Sequence, residues 1–97
     1  MTIQANIITQ VVGDRLSARG FTLEDEVLFE SMIAQKIRRL NEGEYIAFEI
    51  DALGQIHAIT KVVGFSSLNT IKKGAIIISY NELERHFYEQ QSASMEL

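Results

Sequence analysis

The sequence predicts an α+β domain of order ααβββα: two N-terminal helices, a three-stranded antiparallel sheet and a C-terminal helix. Three observations point to it. Apolar residues recur at three- and four-residue spacing through the N-terminal part of the chain, the spacing falls to two after Gly43, and a helical pattern returns with the segment YNELERHFYEQ. A length of 97 residues accommodates one hydrophobic core and is too short for two. The apolar fraction of 46% is that of an ordinary globular protein rather than a disordered chain.

The first helix is expected from about Ile3 to Arg19, with Ile8, Val11, Val12 and Leu16 on one face. Gly20 can take the left-handed conformation that ends a helix, and Arg15 and Arg19 lie near its negative end. Gly13 and the β-branched residues weaken this helix, so a strand over residues 7–12 is the alternative. Thr22 reads as the N-cap of the second helix, with Asp25 in capping-box position three residues on. Leu23, Val27, Leu28 or Phe29, Met32, Ile33, Ile37 and Leu40 then form a broad apolar face, and Gly43 supplies the stop.

In the first strand Ile46, Phe48 and Ile50 point one way, with Tyr45, Ala47, Glu49 and Asp51 the other way. A turn over residues 52–54 leads to an antiparallel second strand over residues 55–63. After a connection bounded by Gly64 and Gly74, residues 75–80 make a third strand. Its run of isoleucines is apolar on both faces, which places it in the middle of the sheet or under the helices. Asn81 with Glu84 reads as the capping pair of the last helix, which buries Leu83, Phe87 and Tyr88. The domain is expected to occupy residues 1–91, with residues 92–97 fraying.

Composition narrows the function classes. Thirteen acidic against nine basic residues give a net charge of -4, which disfavours a general nucleic-acid binder. The absence of cysteine excludes disulfides and thiolate metal sites. The N-terminus lacks the pattern of a signal peptide, and no apolar run approaches the ~18 residues of a membrane span, so a cytoplasmic protein without membrane contact is expected.

Catalytic signals are weak. His57 and His86 have no second histidine at ligand spacing and read as structural or surface residues. No nucleophile motif or phosphate-cradling glycine loop is present, and Glu49 with Asp51 is as well explained by exposed strand ends as by acid–base chemistry. Neither enzymatic activity nor a cofactor or metal is expected. The basic residues Arg15, Arg19, Lys36, Arg38, Arg39, Lys72 and Lys73 could bind RNA if they converged, with Tyr45 or Tyr80 for stacking. Ordinary complementation of helix C-termini explains them more simply.

The acids make the sharper constellation. Glu26 and Glu30 would stand roughly 6 Å apart along a helix. Glu49 and Asp51 would stand roughly 6.6 Å apart along a strand. Both spacings are similar to that of successive phosphates on a nucleic-acid strand, so such an array could occupy lysines and arginines meant for DNA. Acids at a helix start are also stabilised by about 0.3–1 kcal/mol each through the macrodipole, which accounts for Glu24, Asp25 and Glu26 without a partner. Glu30 lies beyond the first turn, four residues from a like charge, and has no such account.

Over nearly its whole length, centred on TLEDEVLFESMIAQKIRRLNEGEYIAFEIDALGQIHAITKVVGF and the closing YNELERHFYEQ, the chain resembles a small phage- or prophage-encoded anti-CRISPR protein of the class that inhibits the type I-F surveillance complex. The resemblance rests on overall similarity, length and element order. It implies a monomeric inhibitor in the bacterial host cytoplasm that mimics double-stranded DNA without binding nucleic acid itself. Such a protein would occupy lysines and arginines of the large subunit and adjacent backbone subunits and so block target recognition. The expected contact residues are Glu24, Asp25, Glu26 and Glu30, followed by Glu42, Glu44, Glu49 and Asp51. The rival expectations are a phage or bacterial protein-interaction or regulatory module and, third, an RNA-binding domain.

Overall fold

A computed structural model describes residues 5–95, with side chains through residue 91. Helix α1 (Ala5–Ala18) is the central helix, burying Ile7, Ile8, Val11, Val12 and Leu16. Thr9 is buried with them, and its hydroxyl donates to the Ala5 carbonyl at 2.9 Å, so no polar group is stranded. The helix prevails over the alternative strand because five apolar positions share one face and pack on two helices and the sheet. It ends at Gly20, where φ is 85°. The Phe21 amide bonds the Leu16 carbonyl and the Gly20 amide that of Ser17, the paired bonds of a Schellman stop. The expected start at Ile3 lies outside the described residues.

Helix α2 (Glu26–Lys36) is shorter than the sequence predicts at both ends. Its N-cap is Asp25, whose Oδ1 accepts the Leu28 amide at 3.0 Å, and not Thr22. Residues 21–24 instead bridge to the sheet, with Phe21 and Leu23 packed against the core. The last helical bond runs from the Ile37 amide to Ile33, so Gly43 belongs to the turn before the sheet rather than to a helix end. Leu40 is buried, but from this loop. A helix continued past Lys36 would carry Leu40 on the same face as Phe29 and Ile33, which is why periodicity does not register the stop. The apolar face is also narrower than expected. Phe29 and Ile33 are buried, Met32 is half-buried, and Val27 is exposed.

Strands β1 (Glu44–Ile50), β2 (Ile56–Val63) and β3 (Ile76–Ser79) form an antiparallel sheet of order β2-β1-β3. Ile46 and Phe48 on β1, with Ile76 and Ile78 on β3, face the helices, and the Phe29 and Phe48 rings meet at 5.9 Å. The isoleucine-rich β3 lies at an edge and not in the middle. Helix packing covers Ile76 and Ile78, which supplies their burial without a second neighbouring strand.

Because β2 and β3 run in the same direction on either side of β1, the connection between them must return along the length of the sheet. It carries a 3₁₀ turn (Phe65–Thr70) that contacts β2. Ala47 and Val62 are buried on the face away from the helices, and Leu68 and Ile71 in this connection are half-buried.

Helix α3 (Tyr80–Met95) follows β3 without a loop. Its cap is Ser79, whose Oγ accepts the Glu82 amide at 3.1 Å, rather than Asn81. Starting two residues early places Tyr80 in the core beside Leu83, whereas a cap at Asn81 would leave Tyr80 outside the helix. Phe87 is half-buried and packs on the core, while Tyr88 is exposed. Arg15 pairs with Glu82 at 2.5 Å and ties α1 to α3. The helix reaches Met95, and residues 96 and 97 of the tail lie outside the described residues. Among the described residues no helix is long and apolar enough to cross a membrane.

Candidate partner-binding surface

The eight acids read from the sequence fall into three places. Glu24, Asp25, Glu26 and Glu30 gather at the N-terminal half of α2 and are all exposed. Phe29 and Ile33 define the inward side of the helix, so its 100° step sends Glu26 and Glu30 to the flank nearer α1 and Leu28 to the opposite flank. Glu26 accordingly borders a groove with α1, and Leu28 borders a separate cleft against the β1–β2 turn. Asp25 is partly engaged as the α2 cap, and the helix N-terminus favours the charges of Asp25 and Glu26. Glu24, Glu26 and Glu30 form no ion pair among the described residues.

Asp51 belongs to the β1–β2 turn, whose residues 53–55 line a cleft with Glu24 and Asp25, but it does not project beside Glu49 as the strand spacing predicts. It lies beyond the end of β1, and its Oδ1 accepts the amides of Leu53 and Gln55, both at 2.9 Å. That carboxylate holds the turn. Glu49 is half-buried on the sheet face away from the helices, paired in register with Ala58.

Glu42 and Glu44 lie at the other end of β1, roughly 20 Å from the turn at the strand rise of about 3.3 Å per residue. Glu42 is exposed, whereas Glu44 is buried and committed to the fold. Its Oε1 accepts the Asn41 amide at 2.5 Å, and its Oε2 lies 3.6 Å from Lys61 Nζ. Lys61 in turn donates to the Arg39 carbonyl at 3.3 Å, so the pair fastens the loop that follows α2. The eight acids therefore do not form one continuous face, and four of them gather at the start of α2.

The basic residues do not all converge. Arg15 is paired with Glu82, Lys36 ends α2 with Arg38 and Arg39 beyond it, and Arg19 donates to the Gly74 carbonyl at 2.6 Å, next to the exposed Lys72 and Lys73. Tyr80 is buried and so cannot stack on a base. Burial pushes its phenol pKa up, and a hydrogen bond to Glu84 pushes it the same way.

His57 is the extra residue of a bulge in β2, since Glu49 pairs with Ala58 and Ile50 with Ile56. His86 belongs to a polar trio on the α1–α3 surface, its Nε2 3.2 Å from Gln10 Oε1 and from Gln90 Nε2, with Gln90 also bonded to Gln10. Among the described residues no group of three or more acidic or histidine side chains is placed to hold a metal ion.

What the sequence does not reveal is the apolar content of the α2 end. Leu28 and Leu53 are 66% and 77% exposed, yet both line one cleft of about 320 Å³ with Glu24 and Asp25 on its rim. The cleft is fastened from below. Gly54 has φ of 83° and lies under Phe21, so a methyl group built there would fall 2.8 Å from Phe21 Cβ and closer still to the ring. The one available signal is the dipeptide Leu53-Gly54, an apolar residue in a turn with no periodic partner. Comparison of the chain with protein-family models, with curated proteins and with solved structures gives no match.

Proposed function

We propose that this chain is a non-enzymatic anti-CRISPR inhibitor that mimics a short stretch of duplex DNA at the type I-F surveillance complex. Its contact surface is the acidic end of α2, formed by Glu24, Asp25, Glu26 and Glu30 and bordered by the turn that Asp51 holds. The observation that carries this reading is that Glu24, Glu26 and Glu30 stand exposed and without an ion pair among the described residues. Glu30 is the most telling. It lies beyond the first turn and one turn from Glu26, where a like charge costs an isolated helix about 0.2–0.5 kcal/mol. A residue that is mildly unfavourable for its own helix fits a role in contacting something else.

The resemblance supplies the identity of the partner, and the chemistry of the surface supplies its character: basic, and normally occupied by phosphates. Competition binding tests both. Purified surveillance complex holding labelled target duplex should release it as this protein is added, while the protein alone binds neither DNA nor RNA. The inhibition should weaken as salt rises, because exposed charge pairs are screened. Direct RNA binding without effect on the complex would overturn the proposal.

A protein-interaction module of another kind is the second reading, and one observation favours it. Val27, Leu28 and Leu53 are exposed close to the acids, an apolar surface that a run of phosphates does not have. Release of duplex that is indifferent to salt would favour this reading over charge mimicry.

A further inference from the structure

The cleft between α2 and the β1–β2 turn combines features that a single kind of side chain satisfies. Leu28 and Leu53 form its exposed walls, and Phe29, Met32 and Ile56 line it more deeply. Glu24 stands at the rim, with no ion pair among the described residues, beside Asp25, which has only Oδ1 engaged by the Leu28 amide. At about 320 Å³ the cleft is at the lower end of the size range of small-ligand sites.

Its walls are held before anything binds. Asp51 fixes the Leu53 and Gln55 amides, Phe21 packs on Gly54, and Asp25 caps the helix. A cleft kept open in this way does not have to be ordered at the moment of association. A purely apolar occupant would leave the rim carboxylates beside its own dry surface, and a compact cation would leave Leu28 and Leu53 in water. Arginine and lysine answer both demands, since their aliphatic stems cover apolar surface while the charged head remains at the edge.

We propose that this cleft is an anchor pocket for one arginine or lysine side chain of a partner protein, its stem lying across Leu28, Met32 and Leu53 and its cationic head meeting Glu24 and Asp25. The pocket rests on the reading of the α2 end as the partner-binding surface, and it assigns that surface an apolar component as well as charge. An arginine seated in this way is of a residue type enriched among the few that dominate an interface.

The test uses the whole protein and small probes, so it is independent of any particular complex. Backbone and methyl NMR spectra are titrated with n-butylguanidinium and n-butylammonium, with guanidinium and n-butanol as controls carrying only the head or only the stem. The expected result is saturable shifts at Leu28, Met32 and Leu53, with the butyl cations binding about tenfold more tightly than guanidinium, because two or more methylenes leave water, and more tightly than n-butanol, because only they bring a cation to the carboxylates. Glu24→Gln should bring the butyl cations close to n-butanol, and Leu53→Ser should bring them close to guanidinium.

Equal binding of n-butanol and the butyl cations would overturn the proposal in favour of a purely apolar surface, and equal binding of guanidinium would reduce the site to charge alone. The two readings fail separately. Probe binding with no release of duplex from the surveillance complex supports the pocket while removing the proposed partner. Release of duplex with no probe binding removes the pocket and leaves the inhibitor reading intact.

Discussion

Gly54→Ala perturbs the fold and the candidate surface at one point, and its cost separates into two parts. The first is conformational: φ at this position is 83°, where a side chain costs roughly 1–2 kcal/mol. The second is steric. The added methyl would overlap Phe21, falling 2.8 Å from its Cβ, and forcing a packed ring to move costs typically about 1–3 kcal/mol. Together they predict a loss of about 2–5 kcal/mol, a large share of the stability of a domain this size. Removing the whole Phe21 side chain, Cβ included, removes only the second part. In a Phe21→Gly background Gly54→Ala should cost only the conformational ~1–2 kcal/mol, leaving a coupling energy of about 1–3 kcal/mol. Urea unfolding of the parent, both single variants and the double variant measures this cycle directly. Additive costs would refute the contact, and with it the claim that the cleft beside α2 is held in place by Phe21 on the β1–β2 turn.

Ser79→Ala should cost about 0.5–2 kcal/mol through loss of the α3 cap, whereas Asn81→Ala should change urea stability by only a few tenths. Gly13→Ala in α1 should raise stability by up to about 1 kcal/mol, because a methyl there meets no atom within 4 Å and the helix gains propensity. The alkaline limb of stability should report Tyr80. Its folded pKa is raised, so the folded state holds the proton longer than the unfolded chain. This contribution is fully present below the ordinary tyrosine value of about 10 and is lost as pH rises through the folded value. Unfolding measured across that range should show falling stability, and Tyr80→Phe should remove this component.

Much of the fold is legible in local patterns because local physics decides it. Gly20 stops α1 as its position implies, and the alternation of Ile46 and Phe48 with Tyr45 and Glu49 fixes which way β1 faces. The errors occur where two local solutions are equally good and packing chooses between them. Thr22 and Asp25 are both competent caps, and the lodging of Phe21 on Gly54 leaves the role to Asp25. Ser79 with Glu82 and Asn81 with Glu84 are both capping pairs, and burial of Tyr80 selects the first. The order of the strands, with β3 at an edge, depends on long-range pairing that no local pattern encodes. The same holds for the surface. Clustering of Glu24, Asp25, Glu26 and Glu30 follows from sequence proximity, but the commitment of Glu44 to Asn41 and Lys61 is a tertiary fact. So is the pairing of exposed Leu28 with Leu53 across one cleft.

Charge reversal at Glu30 tests the central claim most directly, because its effects on folding and on binding should have opposite signs. Glu30→Lys replaces a like-charge contact with an ion pair to Glu26, the acid standing one turn N-terminal to the new lysine in the favourable orientation. Urea stability should therefore hold or rise by about 0.2–0.5 kcal/mol. Release of target duplex from the type I-F surveillance complex should nonetheless require about tenfold more protein, the equivalent of ~1.4 kcal/mol. The paired reversal Lys72→Glu with Lys73→Glu, exposed in the β2–β3 connection and outside the proposed contact residues, should leave release within about twofold, as for exposed charges outside an interface. Undiminished release by a folded Glu30→Lys protein, or an equal loss from the lysine reversals, would contradict the assignment of the acidic end of α2 as the inhibitory surface.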